Sequence, residues 1–257
     1  MAKSAGLGHK LLIDGFDVSG DIATVNQFSS ALNPQQTNGI DQLGVARIGL
    51  LHDGAAEFAT YWNPSSGGAG TSLHEVLRTL PTTDRIVTYL AGQTLGAPAA
   101  SIVSKQINYD WSRGQDGSMT GTTSVAGNGY GLAWGVNLTA GKRTETTAGN
   151  GPGVDLGALP ISYSFGWSMY LHVMGTFTGT SITVKVQDSA DNATFADITG
   201  ATFVAATGSG TTATATQRVQ SASATATVRR YVRVVTSGTF TNATYTVNFV
   251  RNEAAAS

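Results

Sequence analysis

From Val103 to Trp111 every second residue falls on one face of an extended chain: Val103, Lys105, Ile107, Tyr109 and Trp111. The alternate set is Ser104, Gln106, Asn108 and Asp110. Side chains of a strand switch faces with period two, so the stretch predicts a half-buried strand with one dry and one wet side. The run Arg113-Gly114-Gln115-Asp116-Gly117 predicts a hairpin turn. The return strand puts Ser118, Thr120, Thr122 and Ser124 on one face, with Met119, Thr123 and Val125 on the other. The pattern predicts a long hairpin whose polar face carries almost no cation.

The rest of the chain is read the same way. Lys10 to Phe16 predicts a strand closed by Asp14-Gly15, and Ile22 to Ser29 a second one. Asp17 to Asp21 between them has turn chemistry, and its carboxylates lack the spacing of a calcium loop. Asn33, Pro34, Gln35, Gln36, Thr37 and Asn38 open a polar segment running to Gln42, expected as an exposed arm that orders against a neighbouring subunit. Val45 to Leu51 and Ala55 to Trp62 flank His52-Asp53-Gly54, an Asp-Gly hairpin signal. Ser72 and Glu75 form a capping box, and Leu73, Val76, Leu77 and Leu80 make a helical stripe that Pro81 stops. Arg85 to Leu90 and Gly131 to Leu138 predict further strands.

Residues 149–162 have the Gly/Pro-rich composition of a linker, separating a unit at 1–148 from one at 163–257. Beyond it Tyr163, Phe165, Trp167, Met169, Leu171 and Val173 share a face, opposite Ser164, Ser168, Tyr170 and His172. Ile182 to Val186, Val228 to Val235 and Tyr245 to Val250 predict more strands. The expected class is mainly β: a sandwich or barrel with one short flanking helix, then a second antiparallel β-sandwich.

Composition sharpens this picture. Only 12% of the 257 residues are charged, and 32 are glycine, against about 25% charge in ordinary soluble domains. Such a surface suits a protein largely consumed by contacts with other subunits. A net charge of -1 offers no basic platform for gripping nucleic acid. The absence of cysteine removes disulfides, thiolate chemistry and Cys-based zinc sites. Met1 to Lys10 has no apolar core of a signal peptide, and no run is long enough to span a membrane.

The search for chemistry finds no nucleophile elbow, phosphate-binding loop, dinucleotide fingerprint or zinc-protease helix. His9, His52, His74 and His172 are scattered, and His172 is expected at a surface or interface. Asp188, Asp191 and Asp197 form the densest acidic cluster; they suit calcium on composition, but an Asx-type turn better. Arg229, Arg230 and Arg233 split between two strand faces and make no coherent platform. No catalytic residue, cofactor or metal is expected.

With these residues in view, the chain resembles the major tail tube proteins of long-tailed bacteriophages. The resemblance rests on Phe16-Asp17-Val18-Ser19-Gly20-Asp21, Leu73-His74-Glu75-Val76-Leu77, Gln106-Ile107-Asn108-Tyr109-Asp110 and Gly131-Leu132-Ala133-Trp134-Gly135. The second half is similar to a sandwich module appended to phage virion proteins, through Val186-Gln187-Asp188-Ser189-Ala190-Asp191 and Arg230-Tyr231-Val232-Arg233-Val234.

This resemblance implies a structural virion protein, assembled in the host cytoplasm into hexameric rings stacked as a tube. Its implied partners are further copies of itself and the tail tip, tape measure and tail terminator proteins. Double-stranded DNA would pass through the lumen unbound, along Ser104, Gln106, Asn108, Asp110, Thr120, Thr122 and Ser124. The second sandwich would project outward. An alternative function is a phage surface module that binds host glycans through Trp167, Tyr170 or Tyr231. A hydrolase built on the acidic cluster has almost no support.

Overall fold

The structure is a computed structural model, and it describes residues 5–64, 72–157, 162–207 and 215–252. Residues 158–161 of the expected linker, and 208–214 and 253–257 of the expected second sandwich, lie outside the described residues. The chain is mainly β, as its alternating pattern predicts. Strands β1 (Lys10–Ile13) and β2 (Phe16–Asp17) are joined by Asp14 and Gly15, whose φ values of 48° and 80° are those of a two-residue hairpin turn. Next come β3 (Ile22–Gln36) and β4 (Arg47–Tyr61), then helix α1 (Leu73–Leu77). The first half continues with β5 (Arg85–Leu90), β6 (Pro98–Gln106), β7 (Asp110–Arg113), β8 (Met119–Gly127) and β9 (Ala133–Asn137). Short strands β10 (Arg143–Glu145), β11 (Val154–Asp155) and β12 (Ser162–Tyr163) precede the long β13 (Trp167–Ser189). The chain ends with β14 (Ala196–Thr202), β15 (Ala206–Thr207), β16 (Ala215–Gln220), β17 (Val228–Arg229) and β18 (Tyr231–Arg251).

Antiparallel pairing joins all of these strands except β12 and β17 into one continuous sheet, with the path β14-β13-β18-β9-β6-β5-β1-β2. The sheet folds over on itself and encloses two main cores. In the first, Phe58 and Val125 of β4 and β8 meet Leu11, Val87 and Ile102 of β1, β5 and β6, with Leu73 and Leu77 of α1. Each such side chain, fully buried, contributes about 1.5–3 kcal/mol. The second core gathers Trp167, Leu171, Ile182, Val184, Val232, Tyr245 and Phe249 between the two ends of β13 and β18. Those strands break register between Met174 and Ser181. Glycine is needed there: a Cβ on Gly179 (φ 149°) would lie 2.4 Å from Phe240 Cα, and one on Gly238 (φ 117°) 2.3 Å from Ser181 O.

A third layer of contact joins the halves. Ile86 and Val103 pack on Tyr170 and Val250, and Leu12, Leu90 and Ala99 on Met174. Within the expected linker, Val154 and Asp155 pair with Val232 and Tyr231, and Asn150 bridges to Val235. Just before it, Arg143 to Glu145 pair with Tyr245 to Ala243. These residues lack hydrophobic periodicity because they only line a sheet edge.

One expected turn and one helix end are placed differently. His52-Asp53-Gly54 lies inside β4 rather than at a hairpin turn, and β3 runs on to Gln36, so 22–61 forms the long hairpin. Gly54 serves packing instead: a Cβ there would lie 2.6 Å from the Leu132 backbone nitrogen. The helix ends at Leu77, capped by Ser72 as the capping box predicts, and Leu80 is exposed rather than on the stripe. Its first turn has a second acceptor, because Asp21 Oδ2 accepts from Leu73 N at 2.9 Å.

Candidate functional site

The predicted polar face divides at Ile107 to Tyr109. Gln106 pairs with Val125, and Asp110 with Thr122. Four steps along one strand therefore match three along the other, and the extra residue makes a β-bulge. One inserted residue turns every following side chain to the opposite face. Asn108 fills the gap: its Oδ1 accepts from Ser124 N at 2.7 Å, and its Nδ2 donates to Asp110 Oδ2 at 2.7 Å.

Ser104 and Gln106 accordingly point inward, and the expectation that they line an open surface is corrected. Ser104 is fully buried and donates to Arg85 O. Gln106 is buried and donates to Leu77 O at 2.8 Å, satisfying a carbonyl at the end of α1. Past the bulge the expected face is present. Asp110 and Thr120 are exposed, Thr122 and Ser124 half-buried, while Gly121, Thr123 and Val125 point to the core.

Pairing extends this face across two further strands, which the sequence predicts as strands but does not assign to it. Ser124 lies opposite Glu57, Thr122 opposite Ala59 and Thr120 opposite Tyr61. Glu57 in turn lies opposite Gln27, Ala59 opposite Thr24 and Ala55 opposite Ser29. Asn26 donates to Glu57 Oε1 at 2.9 Å. The result is a surface in the order β3-β4-β8-β7 whose charges, among the described residues, are Asp53, Glu57 and Asp110; by register Arg47 and Arg113, at the ends of β4 and β7, belong to the opposite face. Bulges in β3 between Ile22 and Gln27 hid its alternation from a period-two reading.

This surface ends in unpaired strands. Among the described residues β3 pairs only with β4, and β7 only with β8. Each offers a free edge of backbone N–H and C=O groups. Aromatic packing holds β7 in place. Trp111 meets Trp62 edge-on at 4.8 Å and Tyr109 at 5.4 Å, and His74 Nδ1 lies 2.7 Å from Tyr109 OH. Burial lifts the Tyr109 hydroxyl to about 12, so it stays protonated.

The arm residues Asn33, Pro34, Gln35 and Gln36 lie within β3, paired with Arg47 to Leu51, and Thr37 and Asn38 begin the tip. All six are exposed. The tip is closed by Thr37 N donating to Ala46 O and by Asn38, which bonds Gly44 O and Ala46 N. It carries apolar residues that the polar reading overlooked: Ile40, Leu43, Val45 and Ile48 are all more than half exposed.

The remaining candidates take structural roles. His172 is completely buried between the halves. Gly15 N donates to its Nδ1 at 3.1 Å, so Nε2 carries the hydrogen and donates to Thr88 Oγ1 at 2.8 Å. Thr88 continues to Ser101 at 2.7 Å, which also accepts from Asn248 Nδ2 at 2.8 Å. Burial holds the imidazole down to about 3, so it is neutral. The acidic cluster does not converge. Asp191 Oδ1 accepts from Ala193 N, Thr194 N and Ser189 Oγ in an Asx-type turn, and Asp188 accepts from Arg229 N. Asp197 pairs with Lys185 and Gln187. Trp167 and Tyr170 are buried at 1% and 0% exposure, which removes them as a stacking surface for glycans.

No helix among the described residues is long and apolar enough to cross a membrane. No family model and no curated protein matches the chain. Among solved structures it is similar to the SPP1 phage Dit protein (gp 19.1), described as a paradigm of the hub adsorption apparatus in phages infecting Gram-positive hosts. Identity is 10%, the match covers 95% of this chain and 99% of that one, and the TM-score is 0.36. It is also similar to a chain of the activated phage p2 baseplate with strontium, at 11% identity, 95% and 99% coverage and a TM-score of 0.31. The calcium form of that baseplate matches at 10% identity, 96% and 99% coverage and a TM-score of 0.30.

Proposed function

We propose that this chain is a non-catalytic structural protein of a phage tail, a ring subunit whose β3-β4-β8-β7 surface faces a central channel. One observation carries the reading: among the described residues, a four-stranded face without lysine or arginine ends on both sides in unpaired strand edges. Head-to-tail pairing of β3 of one copy with β7 of the next would satisfy both edges, and closure into a ring would abolish them. Thr122, Ser124, Gln27 and Ser29 would then line the channel with neutral hydroxyl and amide groups. Glu57 and Asp110 repel phosphates, and no cation holds them, so a DNA duplex could slide past. In its finer form the reading is a hexameric tail tube subunit whose rings stack, with 33–38 reaching a neighbouring subunit or ring. Its partners would then be the tail tip, tape measure and tail terminator proteins.

Electron microscopy of the purified full chain, alone and seeded with tail initiators, tests this. Stacked rings are expected, and a monomer under every condition would overturn the reading. Discrete rings that never stack would retain the ring and remove the tube. Replacing Thr122 and Ser124 with Lys should leave rings intact but add salt-sensitive DNA retention, since each new cation adds a phosphate contact.

A further inference from the structure

A cleft of about 560 Å³ separates residues 129–133 of the first half from β16 and residues 221–224 of the second. Ligand pockets run from roughly 300 to 1,000 Å³. Arg218 stands in its wall. Its guanidinium lies flat on the Tyr130 ring, 3.5 Å from the centroid. Its Nε donates to Tyr170 OH at 3.2 Å and its Nη2 to Gln220 Oε1 at 2.8 Å. Three neighbours therefore fix the orientation of the planar cation, yet no carboxylate among the described residues lies within ion-pair distance of it. No Asp or Glu among the described residues lines the cleft either. Elsewhere in this sparsely charged chain, Arg78, Arg85, Arg143, Arg229 and Arg230 have carboxylate partners, while Arg233 is held by Gln187 and the Phe195 ring.

We propose that this cleft binds an acidic saccharide, with Arg218 holding the sugar's carboxylate. With Nε and one Nη2 hydrogen given to Tyr170 and Gln220, the remaining Nη1 and Nη2 hydrogens form the fork left for a carboxylate, and the ring contact lowers the entropy lost on binding. The rest of the lining suits a hydroxyl-rich ring. Phe165 and Tyr130 are 36% and 44% exposed, giving apolar ring surface, and Gln220, Ser221 and Asn252 add hydrogen-bonding groups beside them. The site depends on residues from both halves, so a search confined to the second sandwich misses it. It also differs from a surface built on Trp167 and Tyr170, whose rings form the floor and are closed to stacking.

Titration of the full-length protein with D-glucuronate, D-glucose and acetate, followed by heteronuclear NMR, tests the assignment. Saturable shifts at Tyr130, Arg218 and Gln220 are expected for glucuronate, with affinity about tenfold above that for glucose or acetate. Arg218→Gln should reduce glucuronate to the level of glucose at a temperature where the variant is folded. Arg218→Lys keeps the charge but not the planar fork, and should also lose about tenfold. Equal affinity for acetate and glucuronate would overturn the saccharide, and glucuronate binding unchanged by Arg218→Gln would overturn the role of the cation. No saturation by any of the three probes would overturn the site.

Discussion

The β3–β4 pair and the β13–β18 pair are both long, irregular antiparallel ribbons, yet they have opposite surroundings. From Trp167 to Met174 every residue of β13 is buried, on both faces. From Ala31 to Gln36 every residue of β3 is exposed, on both faces. The difference lies in what covers them. One side of β13 joins the second core through Trp167, Met169, Leu171 and Val173. Its other side, Tyr170, His172 and Met174, meets β1, β5 and β6, where hydroxyls and backbone groups answer each buried polar atom of His172. Among the described residues nothing covers the distal arm in this way, and Leu32, Ile40, Leu43 and Ile48 stand in water. The two ribbons therefore differ in cover: β13–β18 is enclosed by the fold, and the distal arm stands in solvent.

The largest effect that would sharpen this contrast is in the buried ribbon. Phe249→Ala removes a ring that is 1% exposed and stacked near Trp167, and should cost about 3–5 kcal/mol in urea unfolding. A loss no larger than that of an exposed residue would mean that β18 is not held as described.

The next effect is the pH response of the seam. His172 is neutral in the fold with its pKa held at about 3, against 6.5 for an unperturbed imidazole. Between those values the unfolded chain binds the additional proton, so stability is full above about pH 6.5 and falls as the pH drops toward 3. The loss from this group should be roughly 2 kcal/mol at pH 5. Denaturation of the wild type and of His172→Gln across pH 4–7 isolates it, because the variant lacks that slope.

The smallest effect on the monomer is in the arm. Leu43→Ser should change unfolding by less than about 0.5 kcal/mol, as for other exposed positions, while lowering the yield of assembled rings seen in sedimentation. A large loss of monomer stability would show that the arm is tied down by its own chain, and would erase the contrast.

Much of the strand content was legible locally. Arg85 to Leu90 is a strand with the predicted bounds, Asp14-Gly15 is the predicted turn, and Ser72 caps the helix. The site was legible only in part. Thr120, Thr122 and Ser124 face outward as their alternation predicts, but Ser104 and Gln106 do not, because Asn108 sits in a bulge that alternation cannot reveal. Gly54 shows the same limit: an Asp-Gly pair looks like a turn whether the glycine bends the chain or makes room for Leu132. The polar alternation of Ser168, Tyr170 and His172 predicts a wet face, yet it is dry, because Thr88 and Gly15, 84 and 157 positions away, supply the hydrogen bonds of His172.

The amino-acid order alone determined much of where this chain extends and some of its turns, such as Asp14-Gly15, since pleating and turn geometry involve only neighbouring residues. Which side of each strand meets water was decided in three dimensions, by one unmatched residue opposite β8 and by the meeting of two distant layers around His172. Cross-strand register and the supply of partners for buried polar atoms are properties of pairs of segments, and neither segment carries them by itself.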